Sequence, residues 1–324
     1  MKFFCLFIFL LSLISMPVSS QSAKNEPVHL ILDTDIGPDY DDVGAIAIFH
    51  TLAEKKEMVP LAILSSNKNE FVCPVISLLN TYFGRPDLPI GAPKGFAPNI
   101  GSAQHWPEMI LGEFAHSVRS TDEVPNAVLV YRKILASQPD HSVTIATIGF
   151  LTNLANLLDS KPDEQSSLSG IELVRKKVKL LVSMAGKFPQ GREFNLFTDT
   201  TSSAMVFKNW PSPIQFSGYE IGAAIKTGAG LISDNTVLGP VKQIFSFCMS
   251  KSAEDRNGHM SWDQTVVLVA VRGAAPYFGL QRGHITIKGG TNAWVNDING
   301  SQAYLTPLTS NEQMSRVLEN LMSQ

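Results

Sequence analysis

The chain has 324 residues, of which 44% are hydrophobic and 17% charged, so it can bury the core of one large domain or two small ones. Its net charge of −3 and isoelectric point near 6.2 exclude the basic footprint of a nucleic-acid-binding protein. Outside the first twenty residues it has only Cys73 and Cys248, which are too few for a disulfide framework and form either one disulfide or two buried thiols.

The first twenty residues have the pattern of a secretory signal peptide. Lys2 supplies the positive start, residues 3–14 the apolar centre and residues 17–20 a small-residue exit. The apolar run is too short to span a membrane. We therefore predict a signal peptide over residues 1–20 and one domain over residues 21–324. The mature protein is expected in the periplasm or outside the cell, free of the membrane.

Beyond this segment, strand-like apolar runs alternate with segments of helical period. This alternation predicts an α/β fold, an open and mostly parallel sheet with helices on both faces, similar to a Rossmann fold. Strands are predicted at residues 28–32, 59–64, 143–148, 178–184 and 214–216, and helices at residues 43–55, 71–82, 126–137, 152–158, 204–210, 241–251 and 263–272. Residues 91–107 predict a loop over the site. A small C-terminal β-hairpin (284–288 with 293–295) and a final helix (311–322) complete the prediction.

Five carboxylates lie within ten residues directly after the first predicted strand. They are Asp33, Asp35, Asp39, Asp41 and Asp42. No Lys or Arg lies between Lys24 and Lys55 to neutralise them. Like charges this close require a cation or raised pKa values, and oxygen ligands alone favour Ca²⁺ or Mg²⁺ over zinc. The position is the carboxyl end of a strand, where open α/β sheets bind their ligands.

The acidic segment fits three common kinds of loop poorly. A solvated acidic loop would not be bracketed by two buried-type apolar runs. An EF-hand loop that begins at Asp33 needs Gly in its sixth place and Glu in its twelfth, where the chain has Pro38 and Gly44. A phosphate-binding loop motif is absent from the sequence.

The segment from Asp33 to Asp42 resembles the N-terminal signature of the inosine/uridine-preferring nucleoside hydrolases, Asp-x-Asp-x-Gly-x-Asp-Asp. This chain has two extra residues, because Pro38-Asp39-Tyr40 occupies the place of one. Either Asp39 or Asp41 can match the first Asp of the terminal pair, and we favour Asp41 because Asp42 follows it directly.

Further segments resemble the same family in the same order. Ile148 precedes the Gly of a strand-Gly-x-Leu-Thr-Asn-Leu run, which implies that its backbone carbonyl binds Ca²⁺. The triplet that contains Glu193 and Asn195 resembles a Glu-Phe-Asn motif that binds ribose hydroxyls. Asn67, after the second predicted strand, matches an Asn that contacts the sugar. Each of these residues is also compatible with an ordinary strand end, polar loop or turn.

The last matching position is Asp263, which resembles the family's final Ca²⁺-ligating Asp. Many members have His immediately before it, assisting the departing base, whereas this chain has Trp262, whose ring suits stacking on a base. His259 lies nearby and is a weaker candidate for the acid. Without the resemblance, Asp263 is simply a first-turn helix residue favoured by the helix dipole.

The resemblance implies Ca²⁺-dependent hydrolysis of the N-glycosidic bond of ribonucleosides to ribose and free base. The implied metal ligands are Asp35, Asp42, Ile148 and Asp263, Asp35 is the implied catalytic base, and Asp41, Asn67, Glu193, Asn195 and Trp262 are the implied substrate contacts. These residues fall at predicted strand-to-helix junctions, which share one edge of a parallel sheet. The partner is then a small nucleoside, and a homo-oligomer is left open.

Two alternative functions remain at this point. One is a non-catalytic periplasmic receptor that binds a ribosyl ligand through the same Ca²⁺, because Trp262 replaces the usual His. The other is an Asp-nucleophile phosphatase, suggested by Asp33-x-Asp35, which would need Mg²⁺ and a Lys placed against the phosphate.

Overall fold

The computed structural model describes residue 1 and residues 26–324, so the signal peptide predicted over residues 1–20 lies outside the described residues apart from its first. The strands are β1 (Val28–Thr34), β2 (Met58–Ser65), β3 (Ile90–Gly91), β4 (Val143–Thr147), β5 (Val178–Met184), β6 (Gln190–Gly191), β7 (Ile214–Ser217), β8 (Lys226–Thr227), β9 (His259–Met260), β10 (Phe278–Lys288), β11 (Thr291–Asn296) and β12 (Gln302–Pro307).

Each of the eight predicted helices forms near its predicted bounds, and residues 26–324 contain five further helices of five to eight residues that were not predicted. The helices are α1 (Asp41–Glu54), α2 (Val72–Tyr82), α3 (Trp106–Leu111), α4 (Ala127–Ser137), α5 (Thr152–Asp159), α6 (Gly170–Lys177), α7 (Phe194–Thr198), α8 (Thr200–Asn209), α9 (Tyr219–Ala224), α10 (Ala229–Ser233), α11 (Pro240–Lys251), α12 (Trp262–Arg272) and α13 (Asn311–Met322), with a short 3₁₀ helix at Thr121–Glu123.

Ten of the strands in the described residues form one sheet, in the order β3-β2-β1-β4-β5-β7-β12-β10-β11-β6. The first seven strands in this order, which end at β12, all pair in parallel. The last three, which are β10, β11 and β6, are joined to them and to one another by antiparallel pairing. The predicted fold class, a mostly parallel α/β sheet, is confirmed.

Helices cover both faces of the sheet because its parallel strands are apolar on both sides. In β1, Leu30 and Leu32 belong to a core with α1, α2, α11, α12 and α13, whereas Ile31 belongs to a second core with α4, α5, α6 and α8. The side chains of the acidic segment that follows β1 can therefore face either core or the edge of the sheet.

The C-terminal hairpin of β10 and β11 forms as predicted, but it extends the main sheet instead of standing apart. It is joined through β12, which pairs in parallel with β7 and antiparallel with β10. The sequence analysis did not predict β12, because its residues, Gln-Ala-Tyr-Leu-Thr-Pro, lack a continuous apolar run.

Two glycines allow the close approaches that assemble the site. A Cβ at Gly44 in α1 would lie 2.7 Å from the Nε2 atom of Gln264 in α12, so this glycine lets the two helices pack closely. A Cβ at Gly149, after β4, would lie 2.4 Å from the backbone nitrogen of Asp35. Within residues 26–324, no helix is both long and apolar enough to span a membrane.

Candidate metal centre and catalytic pocket

A cavity of about 430 Å³ lies at the carboxyl ends of β1, β4, β5 and β7. Its lining combines carboxylates, aromatic rings and backbone from the loop after β3: Asp35, Pro38, Asp39, Asp41, Asp42, Ile100, Gly101, Ala103, Ile148, Met184, Glu193, Phe194, Asn195, Tyr219, Trp262 and Asp263. This is the position where open α/β sheets bind ligands. The loop predicted over residues 91–107 supplies part of the wall.

Three buried carboxylates converge on one side of this cavity. Asp41 and Asp42 begin α1, and Asp263 lies in the first turn of α12. One oxygen from each lies within 4.8 Å of the others, and none of the three residues is more than 4% exposed. The approach of α1 and α12 thus joins residues that are more than two hundred positions apart in the sequence.

Asp35 lies beside this group, directly after β1, and is 5% exposed. Burial, followed by the charge of Asp41, raises the pKa of Asp35 well above its usual value. Burial and the neighbouring carboxylates likewise raise the pKa values of Asp41, Asp42 and Asp263. Four such groups compete for protons unless a cation is bound among them.

Few hydrogen-bond donors offset this charge. The hydroxyl of Thr34 donates to Asp42 Oδ1, and the backbone N–H of Asp263 donates to Asp41 Oδ2 over 3.2 Å. No Lys or Arg is among the described residues that line the cavity. The carboxylates therefore fit a divalent cation with a preference for oxygen ligands. Asp41 was predicted to contact the sugar, but its carboxylate also lies within the group formed with Asp42 and Asp263.

Ile148 lines the cavity at the end of β4, where the resemblance implied a carbonyl ligand. Its backbone carbonyl accepts a hydrogen bond from Asn195 Nδ2 over 3.2 Å, and the same nitrogen donates to the carbonyl of Met184 over 3.3 Å. A carbonyl oxygen has two lone pairs, so this hydrogen bond does not prevent Ile148 from also binding a cation. Asn195 ties the ends of β4 and β5 together.

Glu193 combines a structural role with a place in the cavity lining. Its carboxylate accepts hydrogen bonds from the backbone N–H groups of Gly186, Asn195 and Leu196 at 2.7–3.0 Å, and it caps α7. Burial raises its pKa to about 7, although these hydrogen bonds act in the opposite direction. The Glu-Phe-Asn triplet is therefore fixed in place before any ligand binds.

Aromatic rings lie among the cavity-lining residues. Trp262 Nε1 donates to the carbonyl of Tyr219 over 2.9 Å, and the two ring centroids are 5.5 Å apart. Phe194 also lines the cavity and is 42% exposed. Tyr219 and Phe194 were not among the site residues predicted from the sequence. Tyr219 could have been found, because it follows the predicted strand at 214–216 at the same kind of strand-to-helix junction as Asp35.

Asn67 is placed differently from the expected sugar contact. It is fully buried and is not among the cavity-lining residues. Its Nδ2 atom donates to the carbonyls of Asp35, over 3.1 Å, and Ile100, over 2.7 Å, and its Oδ1 atom accepts from the N–H groups of Ile100 and Asn69. With its polar atoms occupied by backbone, Asn67 holds the loop after β3 against the end of β1.

His259 lies behind the cavity, where the sequence analysis placed a weak candidate acid. Its Nδ1 atom is 3.0 Å from Asp255 Oδ1, and its Nε2 atom is 2.9 Å from Asp39 Oδ1. Burial alone would lower the pKa of His259, but Asp39, Asp41 and Asp255 together raise it to about 9. The ring is 4% exposed and is not among the cavity-lining residues, so it does not face a ligand directly.

Cys73 and Cys248 are both buried and free, so of the two alternatives the structure has the two buried thiols.

A mostly parallel sheet with buried carboxylates and an aromatic-walled cavity at its strand ends is typical of metal-dependent enzymes that act on small molecules. Residues 30–318 match the family model described as inosine-uridine preferring nucleoside hydrolase. The chain therefore belongs to this metal-dependent family of hydrolases that act on N-glycosyl bonds, as the resemblance predicted.

Curated relatives carry names of the same kind. The pyrimidine-specific ribonucleoside hydrolase RihA of Shewanella sp. (strain ANA-3) is 31% identical over 202 residues, which cover 59% of this chain and 59% of that protein. RihA of Escherichia coli O81 (strain ED1a) is 29% identical over 201 residues, covering 59% and 60%. The match thus spans only about three fifths of the length of these relatives.

Solved structures share the fold over nearly the whole chain. A plant nucleoside hydrolase, PpNRh1, superposes with a TM-score of 0.70 at 17% identity and covers 92% of this chain and 99% of the plant chain. The inosine-uridine preferring nucleoside hydrolase of Bacillus anthracis gives a TM-score of 0.68 at 13% identity, covering 91% and 99%.

Proposed function

We propose that this protein hydrolyses the N-glycosidic bond of ribonucleosides, with Ca²⁺ as its cofactor, to give ribose and the free base. The observation that carries this proposal is the buried cluster of Asp35, Asp41, Asp42 and Asp263 at the mouth of a cavity with an aromatic wall. Carboxylates suit the sugar and its hydroxyls, and aromatic rings suit the planar base.

Asp35, Asp42, Asp263 and the carbonyl of Ile148 would hold the cation, because all are oxygen donors from residues that line the cavity. When bound, Ca²⁺ would supply a positive charge that orients a water molecule and two sugar hydroxyls. The exclusively oxygen donor set supports Ca²⁺ or Mg²⁺, and the several carboxylates of the cluster favour the larger ion with more ligands.

In this mechanism Asp35 accepts a proton from the water as the water oxygen attacks the anomeric carbon. The bond to the base nitrogen breaks and its electron pair leaves with the base. The base takes a proton from solvent, and Asp35 returns the proton of the attacking water to solvent. The sugar passes through an oxocarbenium-like state, whose positive charge the neighbouring carboxylates stabilise. Asp41, Glu193 and Asn195 hold the sugar hydroxyls, and Trp262 packs against the base.

The names of the relatives make pyrimidine ribonucleosides the first substrates to assay, followed by inosine. The experiment measures ribose release from a panel of nucleosides with Ca²⁺ and after removal of divalent ions by a chelator. We expect turnover that disappears on chelation and returns with Ca²⁺. Full activity in the metal-free protein would overturn the assignment of Ca²⁺.

One observation favours a second function, a ribosyl-ligand receptor. No histidine is among the described residues that line the cavity, so the imidazole that assists the departing base in many members of the family has no counterpart there. A receptor would bind nucleosides in a calorimetric titration without releasing ribose, and the same panel therefore separates the two functions.

We also propose that the mature protein acts outside the cytoplasm. The support is the signal-peptide pattern of residues 1–20. Fractionation of expressing cells, with the uncleaved and cleaved forms identified by mass, tests this proposal.

A further inference from the structure

A second group of possible metal ligands adjoins the first and includes a nitrogen atom. Asp39, Asp41 and His259 each place one ligand atom within 4.8 Å of the others. Asp41 belongs to both groups. We propose that Asp39, Asp41 and His259 form a second cation site, which takes a divalent transition metal such as Zn²⁺ and adjoins the all-oxygen site at Asp41.

His259 is held in the orientation that metal-binding histidines have. Its Nδ1 atom lies 3.0 Å from Asp255 Oδ1, and Tyr40 donates its hydroxyl proton to Asp255 Oδ2 over 2.8 Å. The ring also stacks on Tyr40, with centroids 3.9 Å apart. A carboxylate on one ring nitrogen fixes the tautomer and presents the other nitrogen to a metal.

The other nitrogen of this ring faces the carboxylate of Asp39 without forming a hydrogen bond to it. His259 Nε2 is buried and makes no hydrogen bond within the described residues. It lies 2.9 Å from Asp39 Oδ1, a pair that meets the distance for an ion pair without the geometry of a hydrogen bond. Ligand atoms bound to one metal at about 2.1 Å are roughly 3.0–3.4 Å apart when they are adjacent. The observed separation of 2.9 Å lies just below this range.

The donor set selects a different ion from the one that suits the first cluster. An imidazole nitrogen with two carboxylates is typical of Zn²⁺ and its neighbours in the first transition row, whereas Ca²⁺ prefers oxygen alone. A divalent ion also balances the two carboxylate charges. Asp41 lies between the two groups, so the two ions would be neighbours, as they are in two-metal hydrolytic sites.

This site coincides with the departure from the family signature. Pro38-Asp39-Tyr40 stands where the signature has one residue, and this segment supplies both the ligand Asp39 and the supporting Tyr40. Asp39 has a side chain that is 44% exposed and lines the cavity, so an ion held there would face the ligand. The inference concerns metal occupancy and does not rest on nucleoside hydrolysis.

The test counts metal ions bound to the full protein in the absence of substrate. The protein is saturated with Ca²⁺, titrated with Zn²⁺ or Co²⁺, desalted and analysed for both metals. We expect one equivalent of transition metal in addition to the Ca²⁺, and a visible Co²⁺ spectrum that indicates nitrogen ligation. Displacement of Ca²⁺ one for one, or no second equivalent, would overturn the proposal.

Substitutions at His259 and Asp39 show where the second metal ion binds. His259→Gln and Asp39→Asn should each remove it and leave the Ca²⁺ equivalent in place. Asp39→Asn keeps the test valid if His259→Gln fails to fold, because the Asp39 side chain is half-exposed. The matched control is His105→Gln, which alters an exposed histidine 2.9 Å from Glu108 Oε1. Persistence of the second equivalent in both site variants, or its loss in the control, would contradict the assignment.

Discussion

Asp33 and Asp35 are separated by one residue, yet they lie in different regions of the molecule. Asp33 continues the face of β1 that carries Ile31 and points into the core formed by α4 and α5. Its Oδ2 atom accepts hydrogen bonds from the Tyr131 hydroxyl, over 2.8 Å, and from Asn153 Nδ2, over 3.1 Å. Asp35 instead faces the cavity, where its nearest charged neighbours are other carboxylates.

The difference lies in what surrounds each carboxylate. Burial raises the pKa of Asp33 to about 7, but neutral donors oppose that rise, so the group can be satisfied without a ligand. Burial and like charges both raise the pKa of Asp35, and only a cation or a proton can relieve the site. For this pair of buried carboxylates, neutral hydrogen-bond donors mark Asp33 as a structural group, and neighbouring like charges mark Asp35 as part of a binding site.

The largest expected effect is on catalysis at Asp35. Asp35→Asn should lower kcat by about 10²–10⁴-fold, because the amide cannot accept the proton of the attacking water. The folded protein should persist, since the change removes one of four repelling charges. Ribose release and thermal unfolding are measured side by side. A loss in kcat below about tenfold, about 1.4 kcal/mol of barrier, would count against Asp35 as the base.

At Asp33 we expect substitution to lower the stability of the protein, in contrast to the loss of catalysis expected at Asp35. Asp33→Ala leaves Tyr131 and Asn153 without their buried acceptor and should lower the free energy of unfolding by about 2–4 kcal/mol. Denaturant unfolding measures this loss. Tyr131→Phe is the matched control, which removes one of the same hydrogen bonds and should cost about 1 kcal/mol. If Asp33→Ala were as stable as the parent protein, the structural assignment of this carboxylate would be wrong.

Asn67 donates a hydrogen bond to the backbone carbonyl of Asp35, so we expect its substitution to change both the stability of the protein and its kinetics. Asn67→Ala removes the hydrogen bonds to Asp35 and Ile100 and should destabilise the protein by about 1–3 kcal/mol. KM should rise more than kcat falls, because the loop after β3 supplies cavity wall but no reacting group. Steady-state kinetics test this pattern, and a fall in kcat with unchanged stability and KM would instead restore Asn67 as a direct contact.

The smallest expected effect is the change in the free energy of unfolding with pH and with bound metal. The folded-state pKa values of Asp33 and Glu193, both about 7, lie above their usual values of 3.8 and 4.5. The folded protein therefore binds more protons than the unfolded chain between about pH 4 and pH 7. The free energy of unfolding should fall as the pH rises through this range. The raised pKa values of the metal-cluster carboxylates act in the same direction.

Ca²⁺ should reduce this dependence, because a bound cation keeps the carboxylates of the cluster ionised. Denaturant unfolding at pH 5 and pH 8, with a chelator and with Ca²⁺, measures the change. Asp35→Asn should also flatten the metal-free profile. A metal-free protein that becomes more stable from pH 5 to pH 8 would show that the carboxylate repulsion is not felt in the folded state.

Local features of the sequence determined the fold class and the acidic half of the site. Continuous apolar runs predict the strands, because parallel strands are buried on both faces, and segments of helical period predict the helices, because each buries one face. The location of the carboxylates from Asp33 to Asp42 at the site could be predicted because they come directly after β1. The end of a strand can be recognised from the neighbouring sequence alone. The family resemblance then supplied the distant members Ile148, Glu193 and Asp263.

Only the tertiary structure decided which polar groups are ligands and which are supports. Asn67 and Asn153 are both polar residues near strand ends, yet their partners lie tens of residues away and turn both into internal supports. The meeting of Asp41 with Asp263 depends on the packing of α1 against α12, and Asp39 lies beside His259 although the two residues are 220 positions apart in the sequence. Such contacts arise from how elements pack together, which no spacing along a single chain encodes.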